Sequence, residues 1–371
     1  MRFIHISDLH IGKRVGGFSM LEDQAFILEK IFGIIKKEKP DFVIIAGDIY
    51  DKLTPPAEAV ALLDSFISRL AERRIETFII SGNHDSAERV AFGASIMNKG
   101  RIHFSPVYNG NAAKFTVRDE YGEADIYLLP YLRPAEVRRF FPEADISTTE
   151  DAVRTAVEAM DIDTSRRNII VSHQFVSGGM TCDSERNSVG GTDSVPAEVY
   201  SKFDYAALGH LHGAQFMGGK NIRYSGTPLK YSFSEAGQTK SVTICTLREK
   251  GTPVEIETRE LVPMRDMRIV KGSFDELLSG SSEDYISIVL TDIVRIPDAQ
   301  IKLRAKYPGL MELKYEHEAM REDMVINDIP ADISNSPYEL FAEFFSSANG
   351  KDMTEEQSSY MHKLVNEIWG E

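Results

Sequence analysis

Five short blocks along the chain mix carboxylate, amide and imidazole groups with small residues. They are Asp8-Leu9-His10, Gly47-Asp48-Ile49-Tyr50-Asp51, Gly82-Asn83-His84-Asp85, Ser172-His173 and Gly209-His210-Leu211-His212, and they hold five of the nine histidines. Carboxylate, imidazole and amide oxygen are ligands that divalent cations take. A pair of such cations suits phosphate esters, whose negative charge repels nucleophiles and whose alkoxide leaves poorly. The ions neutralise the non-bridging oxygens and lower the pKa of a bound water. The blocks therefore predict a two-metal centre for breaking phosphate esters.

Roles follow from spacing. Asp8 and His10 lie two apart, so both can face one ion. Asp48 is the expected bridging carboxylate, with Gly47 before it permitting a tight turn and Gly82 expected to do the same before Asn83. Asn83 would offer its amide oxygen to the second ion. His173 adds an imidazole, and His210 and His212 point the same way if locally extended. His84 follows a proposed ligand directly, so it would face the cleft while standing off the metals. That is the place for a group that stabilises the transition state or protonates the leaving oxygen. Asp85 could orient an imidazole, and Asp51 could hold a ligand or the nucleophilic water. One such block is usually a turn or a satisfied polar residue. Five in this order, supplying seven ligands, form a site. His5, His103, His317 and His362 belong to no block and are expected to be structural or solvated, with His5 close enough to support the ligands.

The elements needed to position these residues are visible as periodicity. Phe3–Ser7, Phe42–Ala46 and Thr77–Ile80 are apolar runs that read as buried strands. Leu21–Lys37 reads as a helix with Ala25, Leu28, Ile31, Phe32 and Ile35 on one face, and Pro56–Ala71 as another. Alternating strand and helix predicts a parallel sheet. Further strands, around Phe115 and at Ile126–Leu129, Asn168–Val171, Tyr205–Leu208, Gln215–Met217, Ile222–Tyr224, Ser241–Thr246 and Val254–Arg259, predict a second sheet against the first. The fold class is thus α/β, a two-sheet α/β sandwich. At 371 residues the chain should hold a second, smaller unit. The boundary is placed at Leu261-Val262-Pro263-Met264, which makes 1–262 the catalytic domain and 263–330 a smaller α+β domain. Residues 331–371 should form a helical hairpin. Ser336-Pro337-Tyr338-Glu339 and Thr354-Glu355-Glu356-Gln357 read as capping boxes. Leu340, Phe341, Phe344 and Phe345, then Tyr360, Met361, Leu364, Val365 and Ile368, form apolar stripes, with Asn349-Gly350 between the helices.

The net charge is −15, and the stretch from Glu318 to Glu371 carries 12 acidic against 3 basic residues. More than half of the surplus thus lies in the last segment. The acidity argues against that segment gripping nucleic acid, but it does not bar nucleic acid from the catalytic face. Cys182 and Cys245 give neither a disulfide framework nor zinc spacing. No run approaches the roughly 18 apolar residues of a membrane span, and a strand begins at once after Met1. A cytoplasmic protein with no leader and no membrane association is expected.

The order Asp-x-His, Gly-Asp-x-x-Asp, Gly-Asn-His-Asp, lone His, Gly-His-x-His resembles the calcineurin-like metallophosphoesterase superfamily. Within it, Asp8-Leu9-His10-Ile11-Gly12-Lys13, Ser81-Gly82-Asn83-His84-Asp85-Ser86-Ala87-Glu88-Arg89 and the run from Tyr224 to Phe233 resemble the SbcD family, the nuclease subunit of a bacterial double-strand-break-repair complex. The resemblance implies a manganese-dependent DNA exonuclease and endonuclease with two divalent ions, most simply Mn²⁺. It implies a role in DNA repair and recombination, a homodimer that holds DNA, and an SMC-like ATPase partner, SbcC. On this resemblance Asp8, His10, Asp48, Asn83, His173, His210 and His212 match metal ligands and His84 the catalytic histidine. The domain from about Met264 matches a capping domain, and the terminal hairpin the segment that docks on the ATPase. Archaeal and eukaryotic relatives carry a second active-site histidine where this chain has Asp51, the bacterial pattern accepts aspartate, and purple acid phosphatases place a tyrosine there. Asp51 is kept as a candidate catalytic residue. Lys13, Arg14, Arg89 and Lys230 are candidate DNA contacts. The alternative function is a small-molecule or cyclic-nucleotide phosphodiesterase or phosphatase on the same scaffold.

Overall fold

A computed structural model describes residues 1–98, 100–185, 193–317, 338–339, 341–342, 345–346 and 352–369. The chain divides into two compact units, Met1–Arg268 and Ile269–Glu371.

The first unit is an α/β sandwich of two six-stranded sheets. In the first sheet Arg2–Ile6, Phe42–Ala46, Glu76–Ile80 and Ile102–Phe104 run parallel, and Ser241–Thr246 and Glu255–Glu260 continue it antiparallel. In the second sheet Ile222–Tyr224, Tyr205–Leu208, Arg167–Ser172 and Gly122–Leu128 run parallel. Gln215–Phe216 and Ala113–Asp119 pair antiparallel at its edges. The central strands are apolar at nearly every position because both faces are covered. Phe3, Phe42, Ile44, Phe78, Ile126, Val171, Tyr205 and Ala207 fill the space between the sheets. Phe3 stacks on Phe42 with ring centroids 4.7 Å apart. Burying each such side chain contributes about 1.5–3 kcal/mol, so this layer fixes how the sheets are aligned.

The helix Leu21–Glu38 corrects one expectation. Asp23, Gln24 and Ile27 are buried along with Leu28, Ile31, Phe32 and Ile35, whereas Ala25 is not. The helix Thr149–Glu158, absent from the periodicity reading, covers the outer face of the second sheet with Val153, Ala156 and Val157. Its signal was a capping box. Thr148 Oγ1 accepts from the Asp151 N–H at 3.2 Å and the Asp151 carboxylate accepts from the Thr148 N–H at 2.8 Å.

The first compact unit runs on to Arg268, past the expected boundary at 262/263. The reason is that Leu261–Asp266 is tied back to the first unit. The Leu261 N–H donates to the Lys240 carbonyl at 2.8 Å, Arg265 pairs with Asp23 at 2.9 Å, and Lys230 pairs with Asp266 at 2.9 Å. A three-stranded sheet of Met267–Gly272, Tyr285–Leu290 and Leu310–Tyr315 follows, all but the first two residues of it in the second unit. The helices Phe274–Ser279 and Ala299–Arg304 share its core through Phe274, Leu277 and Leu303.

The helix Glu355–Trp369 opens with the expected reciprocal cap between Thr354 and Gln357. Tyr338 stacks on His362 at 3.6 Å. Val365 is buried but Tyr360 is two-thirds exposed, so the second stripe is only partly covered. The connector through Asp328, Pro330 and Asn335, the Ser336-Pro337 start, Leu340, Phe344, the Asn349-Gly350 stop and the Ile368 side chain lie outside the described residues. No described helix is long and apolar enough to cross a membrane. Cys182 and Cys245 are both free and buried.

A buried ion cluster fastens the end of the sandwich away from the ligand-bearing loops. The Asp119 carboxylate accepts from Arg167, 1% exposed, and from the amino group of Met1. Burial alone would raise the Asp119 carboxyl, but these partners hold it well below its ordinary 3.8. A carboxyl depressed by folding stabilises the fold above its unfolded pKa, and that contribution disappears as pH falls below it. Asp119→Asn is therefore expected to cost about 3–5 kcal/mol, because Arg167 stays buried without its partner. Chemical denaturation at pH 7 and at pH 3 checks this: the gap between wild type and variant should shrink at pH 3.

Candidate metal centre

In parallel strands the C-terminal ends lie at one edge, so the loops that follow them gather there. Three blocks follow first-sheet strands and two follow second-sheet strands. The Asp8–Ile11 and Gly47–Asp51 loops run as a pair, with Asp8 N–H donating to the Gly47 carbonyl at 3.0 Å and His10 N–H to the Asp48 carbonyl at 2.9 Å. Gln24, on the helix after the first strand, clamps the same loop. Its Nε2 donates to the His10 carbonyl at 2.7 Å and its Oε1 accepts from the Gly12 N–H at 2.9 Å. A buried polar residue on a helix face carried no signal in apolar periodicity.

The seven expected ligands converge. Asp8, His10 and His212 bring ligand atoms within 4.8 Å of one another, as do Asp8, Asp48 and His173, and so do His10, Asp48 and His84. Asp48 stands in two of these groups. Asn83 Oδ1 lies 3.1 Å from His173 Nε2 and 2.9 Å from His210 Nδ1. His10 Nε2 and His212 Nε2 face each other at 3.1 Å. His173 Nδ1 donates to the Ala46 carbonyl at 2.8 Å, which aims Nε2 inward at Asp48. Among the described residues, buried His10 Nδ1 and His210 Nε2 find no hydrogen-bond partner. Carboxylates, bare imidazole nitrogens and an amide oxygen in one pocket are a donor set that fits two divalent cations.

The backbone bends hard to achieve this. Asp8, His10, Asp48 and His210 all take positive φ, at 53°, 44°, 46° and 112°. Each such residue costs about 1–3 kcal/mol, which packing around it must offset. Gly47 has φ +83°, as a tight turn requires. Gly82 differs from expectation: its φ is ordinary, and it is glycine because the Asp48 carboxylate fills the place of its Cβ. Gly209 lies in the same way against the Ala46 carbonyl and His173. Gly209→Ala would push apart the Ala46–His173 contact that orients an inward nitrogen. The expected result is loss of metal binding with the far core intact, read by Mn²⁺ calorimetry alongside near-ultraviolet circular dichroism.

Charge is dense here. Burial, with Asp48 nearby, lifts Asp8 to about 6. Burial would lift Asp48 too, but His173 holds it well below the carboxylate range. Burial works against protonating His173, yet Asp48 and Asp8 raise it to about 9. Burial and the His173 charge depress His210 to about 3. Asp85 does not orient an imidazole. Its carboxylate accepts the N–H groups of Ile49, Tyr50 and Gly82 at 3.0, 2.9 and 2.9 Å, stapling the second block to the third.

His84 is half-buried, its ring edge-on to His10 at 4.9 Å. Its Nδ1 donates to the Asp51 main-chain carbonyl at 3.0 Å, which leaves Nε2 for other work. Asp51 thus meets His84 through its backbone, while its carboxylate pairs with Lys13 at 2.7 Å and lies 3.8 Å from His10 Nδ1. Of the four expected DNA contacts, Lys13 and Lys230 are already engaged, by Asp51 and by Asp266 and the Ala236 carbonyl. Arg14 and Arg89 are exposed. His5 bonds Tyr205 at 3.0 Å between the sheets, and His103 bonds Glu76 at 2.6 Å; neither reaches the cluster.

Residues 1–214 match the family model of the calcineurin-like phosphoesterases. Residues 263–349 match an SbcD C-terminal model described as a type 5 capsule protein repressor C-terminal domain. Among solved structures, a dimetal phosphatase from Danio rerio is 12% identical, with 70% of this chain and 96% of that one covered and a TM-score of 0.41. The phosphoesterase Yfce from E. coli is 12% identical, with 71% and 100% covered and a TM-score of 0.28.

Proposed function

The chain belongs to the SbcD family of calcineurin-like phosphoesterases, and from that premise we propose that it is a two-metal nuclease that hydrolyses DNA phosphodiesters. The observation that carries the metal-centre reading is Asp48, whose Oδ2 lies 3.4 Å from His173 Nε2 and 3.7 Å from His10 Nε2. Asp8, His10 and His212 would hold one cation, Asn83, His173 and His210 the other, and Asp48 would touch both. When bound, the cations neutralise phosphate oxygens and supply hydroxide from water near neutral pH.

The chain's own groups do the rest. The Ala46 carbonyl keeps the His173 proton on Nδ1, and Asp85 keeps the Asp48 and Asn83 loops in register. The Asp51 carbonyl keeps the His84 proton on Nδ1, so Nε2 is the atom that exchanges a proton with the leaving 3′ oxygen. Lys13 neutralises the Asp51 carboxylate beside incoming phosphate, and exposed Arg14 and Arg89 are the proposed DNA contacts. The C-terminal match supports a capping domain followed by a segment that docks on an SMC-like ATPase of the SbcC type. The working form is a cytoplasmic homodimer, and Mn²⁺ is the proposed ion.

Incubation with linear duplex DNA and Mn²⁺ should give metal-dependent cleavage. If cyclic nucleotides are turned over while DNA is left intact, the nuclease reading fails and the small-molecule phosphodiesterase replaces it. Saturating Mn²⁺ should also raise the thermal midpoint. At 100-fold excess over Kd each site adds about 2.7 kcal/mol, and a midpoint that ignores Mn²⁺ would count against the centre. Deleting 336–371 should abolish binding to the ATPase subunit and leave Mn²⁺-dependent cleavage in place.

A further inference from the structure

Behind His212, on the side away from His10, lies a second polar cluster that phosphoester chemistry does not use directly. The Ser184 oxygen is 2.7 Å from His212 Nδ1, 2.9 Å from Glu235 Oε1 and 3.0 Å from Cys182 Sγ. A serine hydroxyl has one proton and two lone pairs. Glu235, wholly buried and facing Lys240 at 2.6 Å, can only accept, so the Ser184 proton points to it. The serine lone pairs then accept from His212 Nδ1–H and from the Cys182 thiol. All three contacts are satisfied with a His212 proton on Nδ1, which turns Nε2 toward His10.

The anchor of this chain is unusually well tied. Glu235 also accepts from the Tyr231 N–H at 3.2 Å and the Ser232 hydroxyl at 2.8 Å. Lys240 reaches the His212 carbonyl at 2.8 Å, so one ammonium holds both the anchor and the backbone of the ligand. On the other side Glu185 accepts from the His212 and Cys182 N–H groups. The relay joins three separate parts of the sequence.

We propose that Glu235, acting through the Ser184 hydroxyl, is the positioning residue that fixes the tautomer and aim of His212 and thereby sets cation affinity at the Asp8–His10–His212 position. This rests on the two-metal reading. An imidazole whose outer nitrogen donates toward a carboxylate is a stronger and better-aimed ligand, and losing such a partner typically lowers metal affinity about 10–100-fold. The effect should fall on one cation position, because Asn83, His173 and His210 do not touch the relay.

The test is Mn²⁺ binding to the full chain by calorimetry and electron paramagnetic resonance, for wild type, Glu235→Gln, Ser184→Ala and Ser184→Thr. The wild type should bind two ions and show the spectrum of a coupled pair. Glu235→Gln and Ser184→Ala should weaken one ion about 10–100-fold, giving a single-ion spectrum at intermediate Mn²⁺, and Ser184→Thr, which keeps the hydroxyl, should recover the coupled pair. Fewer than two ions in the wild type would overturn the two-metal reading and this proposal with it. Two ions in the wild type with unchanged affinities in Ser184→Ala, equal weakening at both positions, or failure of Ser184→Thr to recover would overturn the proposal alone. Should Glu235→Gln not fold, because Lys240 is left unpaired, the two Ser184 variants decide the outcome.

Discussion

Asp48→Ala is expected to lower Mn²⁺-dependent DNA cleavage by about four orders of magnitude, since a cation pair supplies several kcal/mol of transition-state stabilisation and each 1.36 kcal/mol is tenfold. Asp48 is placed to be shared between the two proposed cation positions. Its Oδ1 is pinned by the His84 N–H at 2.9 Å, which turns Oδ2 toward both His173 and His10. Removing the carboxylate would take a proposed ligand from both cation positions at once, and with it the negative charge that would offset the repulsion of two bound cations. Single-turnover cleavage of a linear duplex, with Mn²⁺ stoichiometry measured on the same preparation, checks this. Activity within tenfold of wild type would remove Asp48 from the bridging role.

His84→Ala should lower kcat by about 10²–10⁴-fold, the usual contribution of a positioned acid or base, while both Mn²⁺ ions remain bound and KM changes little. The separation follows from where His84 stands. Its ring is edge-on to His10, and the Asp51 carbonyl, an acceptor only, keeps a proton on Nδ1. A group placed like this can move a proton at Nε2 without carrying a cation. Loss of a Mn²⁺ ion in the variant would make His84 a ligand instead, and unchanged kcat would remove it from the chemistry. Asp51→Asn is a useful companion: it keeps the carbonyl that orients His84 but frees Lys13, so it should alter KM more than kcat.

What could be read along the chain was whatever depends on near neighbours. Apolar runs marked the strands because a strand covered on both faces has no polar position to spare. The strands Phe42–Ala46, Tyr205–Leu208 and Ser241–Thr246 have the bounds expected of them. The ligand types were legible because each block stands directly after its strand. Thr354–Gln357 announced a helix start because a cap is made within four residues. Gln24, Glu235 and Ser184 escaped notice because each acts on partners outside its own element, through hydrogen bonds that leave no periodic trace.

By itself, then, the sequence determined the inventory: seven candidate metal-ligating side chains, their order, and strands able to end beside them. Only the tertiary structure decided that Ser241–Thr246 and Glu255–Glu260, expected in the second sheet, join the first. It also set the positive φ of Asp8, His10, Asp48 and His210, and turned Lys13 and Lys230 to carboxylates of the chain itself. The physical reason is one of range. Strand and cap preferences are settled by local sterics and burial, whereas the aim of a ligand depends on which distant carbonyl, hydroxyl or carboxylate packing brings behind it.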